Sequence, residues 1–117
     1  MKLVPFERDG VRMAECLELG GDANAALELI SGCMEHGVER VLVEAHALPP
    51  EFFALRSGFA GELLQKLANY GVCLAGVFPA DTEYAERFRE FLLEAKRGRA
   101  FRAFAERAEA EAWLATR

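Results

Sequence analysis

No Cys-x-x-Cys pair occurs in the chain: Cys16, Cys33 and Cys73 are odd in number and widely spaced. That pattern offers neither a disulfide framework nor a zinc site, and it fits a reducing cytoplasm. No Gly-x-Ser-x-Gly elbow is present, so a serine hydrolase is not expected. Bases are scarce, with His36 and His46 the only histidines. Basic residues are the minority, 14 Lys and Arg against 19 Asp and Glu, for a formal charge of −5. That balance argues against broad binding of nucleic acid or anionic membranes, which need a basic face. Long apolar runs are also missing. The longest, VCLAGVFPA, is broken by Gly76 and Pro79 and is too short to span a bilayer. The opening MKLVPFERDG has no extended apolar segment, so no secretory signal is expected.

What is present reads as one α/β domain over residues 1–117. Apolar residues make up 52% of the 117, enough for a single core. KLVPFE and VRMAEC flank Asp9-Gly10, a tight-turn signal, and read as a hairpin with Pro5 suited to an outer strand. Asp22 is placed to cap a helix whose apolar positions are Ala23, Ala26, Leu27, Ile30, Cys33 and Met34, with Gly37 as its stop. Val41–Val43 is a buried strand. A helix follows with Phe59, Ala60, Leu63, Leu64, Leu67 and Tyr70 on one face, ended by Gly71. Val72–Phe78 is a second buried strand, apolar enough to be covered on both sides. Asp81–Gly98 predicts a helix with Tyr84, Ala85, Phe88, Phe91, Leu92 and Ala95 inward. The tail fits either a continued helix or a strand followed by a helix near Glu106–Ala115, and the αβ rhythm upstream favours the second. The order is β-β-α-β-α-β-α-β-α, a mostly parallel sheet with an N-terminal hairpin. Whether the helices cover one face or both is left open.

This order, with Ser57-Gly58 opening the helix after the first buried parallel strand, resembles the STAS domain of anti-sigma-factor antagonists. There an Asp-(Ser/Thr)-Ser-Gly block starts the corresponding helix. Here the matching stretch is Leu55-Arg56-Ser57-Gly58-Phe59-Ala60-Gly61-Glu62-Leu63. The resemblance implies that Ser57 is a serine presented for phosphorylation. The acidic residue of the block is absent, and Arg56 precedes Ser57. A longer match, over LPPEFFALRSGFAGELLQKLANYGVCLAGV, KRGR and EAEAWL, resembles a family of small bacterial proteins catalogued only as a domain of unknown function. It implies a STAS-like fold and brings no established activity.

From the residues themselves, Ser57 is a good helix N-cap, and a helix start that accepts a serine oxygen also favours a phosphate there. Glu44 and His46, two apart at a strand's exit, can point the same way and with Glu51 form the only carboxylate–imidazole cluster. His36, at a helix end, reads as surface. Phe52, Phe53 and Leu55 read as a lid over the core or as part of a docking surface, with packing expected for at least two of them. KRGR, residues 96–99, looks like an anion site, yet Lys96 and Arg97 complement a helix end and Gly98 suits a left-handed cap. Ser57 belongs at the carboxyl end of the sheet and Arg97 and Arg99 at the opposite end, so they form no common pocket.

No catalytic set, metal site or cofactor is expected. The leading expectation is a non-enzymatic regulatory or binding module that meets a protein partner or small ligand through Glu44–Phe59, with Ser57, Arg56 and Gly58 at its centre. The alternative is a small-molecule binder or enzyme at the carboxyl ends of the strands, lined by Glu44, His46, Glu51 and Ser57. Self-association through Ala100–Phe104, a candidate edge strand, is a third.

Overall fold

Asp9 and Gly10 take positive φ, 53° and 78°. Left-handed backbone at both positions is the two-residue type I′ hairpin turn, so β1 (Lys2–Arg8) folds straight back on β2 (Val11–Glu18) with Arg8 opposite Val11. In this computed structural model, which describes residues 2–117, β3 (Arg40–Glu44), β4 (Cys73–Val77) and β5 (Phe101–Phe104) then add in parallel. The strands lie in chain order, β1-β2-β3-β4-β5, with β1 and β5 as the outer strands. Pro5, which lacks an N–H, therefore sits on an edge.

The topology decides the layering that the sequence left open. Each crossover, through α1 (Ala25–His36), α3 (Phe59–Asn69) and α4 (Glu86–Ala95), steps in the same direction along the sheet. Right-handed crossovers that step one way put their helices on one face. α5 (Arg107–Ala115) follows the last strand, joins no further one, and covers the other face. The one-turn helix α2 (Pro50–Phe53) lies with α1, α3 and α4.

Two cores result. Ala14, Cys16, Val41, Val43 and Leu74 face α1–α4, with Phe52, Phe78 and Phe88 among the buried rings. Met13, Leu42, Ala75 and Val77 face α5, against Ala110, Trp113 and Leu114.

Several local expectations are corrected. α1 begins at Ala25 after Asn24, and Asp22 instead accepts a bond from the Asn24 N–H at 2.9 Å. Leu27 and Met34 are 47% and 77% exposed, because α1 buries the stripe of Ala26, Leu29, Ile30 and Cys33. Tyr70 lies beyond the end of α3 and is exposed. The helix expected over 81–98 is confined to 86–95, so Tyr84 precedes it in the connecting loop. His36 is half-buried rather than surface. Gly98 is not left-handed. It is glycine because a Cβ there would collide with the Phe101 carbonyl oxygen.

Candidate functional site

The segment from β3 to α3 carries the residues first suspected of function. Ala45–Ala47 is a 3-10 turn, Pro50 starts α2, and Leu55–Ser57 is another 3-10 turn. Gly58, at φ 77°, is the N-cap from which α3 departs at Phe59, so the cap falls one position after Ser57, not on it. The Ser57 hydroxyl accepts from the Phe59 N–H at 3.1 Å and donates to the Glu51 carbonyl at 2.8 Å. It ties α2 to the start of α3. Its proton is engaged by a backbone oxygen, and no base activates it. Arg56, Ser57 and Gly58 are all exposed.

The three-residue polar cluster does not assemble. Glu44 is the last residue of β3, and the turn after it breaks the alternation that would have aligned it with His46. Its carboxylate faces α5 and accepts from Arg107 at 3.2 Å. His46 is exposed. Glu51 is on the other side of the sheet, its exposed carboxylate lying over the Cα of Gly21. Among the described residues, no three His, Cys, Asp or Glu side chains are grouped to hold a metal ion.

Arg107 was missed by the sequence reading because its partners are remote in the chain. It bonds Glu15 at 2.9 Å, Glu44 at 3.2 Å and Glu111 at 2.8 Å. Hydrogen bonds to these carboxylates, Glu15 first, push its pKa above the usual guanidinium range. The guanidinium also lies over the Phe6 ring. This network fixes α5 to β2 and β3 and leaves Glu44 with a structural role.

A different surface has the form of a site. The chain leaving β4 turns toward the α4 face, whereas the chain leaving β5 turns to the α5 face. Neighbouring connections that part in this way open a crevice at the carboxyl end of a sheet, where α/β folds place ligands. A groove of about 410 Å³ runs from there along α4 and β5, walled by Phe78, Pro79, Tyr84, Leu92, Leu93 and Ala103. Glu86, Arg89, Glu90 and Lys96 add charge to its lining. The other parallel connections all leave toward one face, so Glu44, Glu51 and Ser57 share no such crevice.

Tyr84 sets the character of this groove. Its ring stacks on Phe53, with centroids 6.2 Å apart and planes 4° from parallel, and packs on Phe78 and Phe88. These contacts leave the hydroxyl oxygen buried without a hydrogen-bond partner among the described residues. Such a group costs roughly 1–3 kcal/mol. Phe53, from the segment first suspected, thus supports the groove from behind.

The chain belongs to the family described as a domain of unknown function (DUF4180), whose profile matches residues 10–114. No curated protein and no solved structure matches it.

Proposed function

We propose that this family member is a binding module, not an enzyme, and that its groove between the β4–α4 loop and β5 takes a small, mainly apolar molecule carrying one hydrogen-bonding group. The unpartnered Tyr84 hydroxyl in that apolar wall is the observation that carries the reading. A ligand polar atom would satisfy it, while Phe78, Leu92 and Leu93 would cover the apolar part. The non-enzymatic character is supported by the separation of Glu44, His46 and Glu51 and by the backbone-bound proton of Ser57. The anionic naphthalene dye 8-anilinonaphthalene-1-sulfonate serves as probe. Its fluorescence should rise saturably with the native protein at one site, and Leu93→Glu, at an exposed groove position, should remove the rise without unfolding. Tyr84→Phe should leave the protein at least as stable, since it deletes a buried unpaired hydroxyl, yet bind more weakly. Dye binding indifferent to Leu93→Glu would sink the groove as a site.

A second reading is favoured by Ser57. Its exposure beside exposed Arg56, at the start of an eleven-residue helix, supports a phosphorylatable contact surface for a protein partner in a STAS-like, bacterial and cytoplasmic regulator. Self-pairing along β5 is the remaining form of partner. Ala100 and Phe104 present their carbonyls to β4, so the alternate residues Phe101 and Ala103 turn backbone groups outward. Solution mass across concentrations tests it, and a monomer at all of them removes it.

A further inference from the structure

The amino ends of β3, β4 and β5 gather charge of the sign this acidic chain has least of. Arg40 begins β3 and pairs in register with Cys73, the first residue of β4. Arg99 and Arg117 line the same concavity of about 410 Å³ as Arg40 and Cys73. Arg102, on β5, lies outside this lining but near enough for its charge to act on Cys73, and its Nε donates to the Gly98 carbonyl at 2.8 Å. No side-chain carboxylate forms an ion pair with any of these four arginines among the described residues, although Glu39 lies in the lining. The chain as a whole carries −5. Its other two clustered guanidiniums behave differently: Arg107 and Arg8 are both held by carboxylates.

Peptide carbonyls hold Arg102 and Arg117 in place. Arg117 donates to the Arg99 carbonyl at 3.1 Å, and Arg40 donates through Nη2 to the Arg117 backbone oxygen. Arg102 and Arg117 lie 5.0 and 5.3 Å from the Trp113 ring centre. Stacking on an indole orients a guanidinium while leaving its edge donors available. The Arg40 Nε is buried with no acceptor among the described residues. Guanidiniums that no Asp or Glu side chain pairs with keep donors available, and pre-oriented forks lining one concavity match a multiply charged oxyanion.

We propose that this concavity binds a phosphate or polyphosphate group of a small molecule, with Arg40 and Arg99 as principal donors and Arg102 and Arg117 held beside them by Trp113. The site shares no lining residue with the Tyr84 groove and does not depend on it. The Lys96–Arg99 run thus contributes more than a helix end, because Arg99 is carried past α4 to the start of β5.

Trp113 is the only tryptophan, so its emission reports on the two arginines that touch it. The full chain is titrated with inorganic phosphate, pyrophosphate, ATP and sodium acetate at constant ionic strength. A saturable change with pyrophosphate and ATP, absent with acetate, is expected. Arg40→Gln and Arg99→Gln should each weaken it at least tenfold. Arg99 is exposed and its side chain makes no hydrogen bond or ion pair among the described residues, so Arg99→Gln should melt like the parent and separates binding from folding. Lys66→Gln, which removes a remote positive charge, should titrate unchanged. Comparable affinity for pyrophosphate and ATP assigns recognition to the phosphates, and binding of ATP alone would overturn that assignment. A response equal to that of acetate, or parental titration by both Arg→Gln variants, would overturn the site.

Discussion

Four helices cover one face of the sheet and a single nine-residue helix covers the other. On the first face the closure is aromatic. Phe52 is fully buried and meets Phe53, Phe78, Phe88, Phe91 and Phe101 at ring separations between 5.9 and 6.3 Å. On the second face α5 buries only Ala110, Trp113 and Leu114, and it is clamped from its first residue by the Arg107 network. A short helix has little apolar area to offer, so charge fixes its position while the larger face relies on packing. The difference predicts that the two faces respond to different perturbations.

The largest effect should come from Phe52→Ala. Truncating a fully buried ring at the centre of its cluster should cost ~3–5 kcal/mol, by urea unfolding, and should be insensitive to salt. Leu63→Ala, on the same face and 2% exposed, should cost ~2–5 kcal/mol, and Leu92→Ala less, because Leu92 is only half-buried. A small Phe52 effect would mean that the aromatic face is not the main core.

Two thiols probe the dryness of the same face. Burial pushes the pKa of Cys16 and of Cys33 up to about 11 from an ordinary 9.0. The folded state therefore keeps protons that the unfolded chain releases between about pH 9 and 11. Stability from this source is complete below pH 9 and is lost as pH rises through the folded values, by about 2 kcal/mol for each thiol. The stability–pH curve of Cys16→Ala/Cys33→Ala should be flatter over that window, and a curve as steep as the parent's would contradict it. Cys73 is half-buried; desolvation raises its pKa too, while the hydrogen bond and charge of Arg117 oppose the rise. It should react first with an aromatic disulfide reagent.

The opposite face should be sensitive to salt instead. Arg107→Ala leaves Glu15, Glu44 and Glu111 without their shared cation. The Arg107 side chain is 37% exposed, so screening holds the loss to about 1–2 kcal/mol at low salt. In ~1 M salt, where the screening length is roughly 3 Å, the difference between parent and variant should shrink. A loss unchanged by salt would point to packing on Phe6 as the real contribution of Arg107.

The strands and the α3 helix were legible because their signals are local. Asp9-Gly10 specifies its own turn, Gly37 and Gly71, read as helix stops, take left-handed backbone, and Val72–Phe78 is apolar enough to need cover on both sides. Errors arose where a tertiary contact overrode a local pattern. The helical spacing of Tyr84 and Ala85 continues α4 in sequence, yet Tyr84 is held outside it by stacking on Phe53, which lies 31 residues earlier. Glu44 looked like half of a polar pair because nothing near it in sequence announces Arg107. The groove was illegible for a deeper reason: it depends on which face each connection leaves toward, and only the strand order settles that. The position of Ser57 was readable from the block around it, while the second partner of its hydroxyl was not.

That second partner changes what Ser57 variants should do. A simple N-cap serine only accepts, and aspartate replaces it well. Here the hydroxyl accepts from Phe59 and also donates to the Glu51 carbonyl. Ser57→Ala removes both bonds at an exposed site and should cost ~0.5–2 kcal/mol. Ser57→Asp keeps the acceptor and the favourable charge at the start of α3, but it sets a carboxylate against the Glu51 carbonyl with no proton between them. It should therefore be no more stable than Ser57→Ala, whereas Ser57→Thr, which restores the proton, should approach the parent. Thermal unfolding of the three variants gives the ranking. If Ser57→Asp matches the parent, the bond to Glu51 contributes nothing and Ser57 acts only by accepting from the Phe59 N–H. If it falls to the level of alanine, a negative group at Ser57 loosens α2 from α3, and α2 carries the Phe53 ring on which Tyr84 stacks. Phosphorylation would then act on the groove as well as on the surface around Arg56. Dye binding by Ser57→Asp decides between these: affinity equal to that of Ser57→Thr confines the effect of charge to the loop, and weaker binding links the two sites through α2.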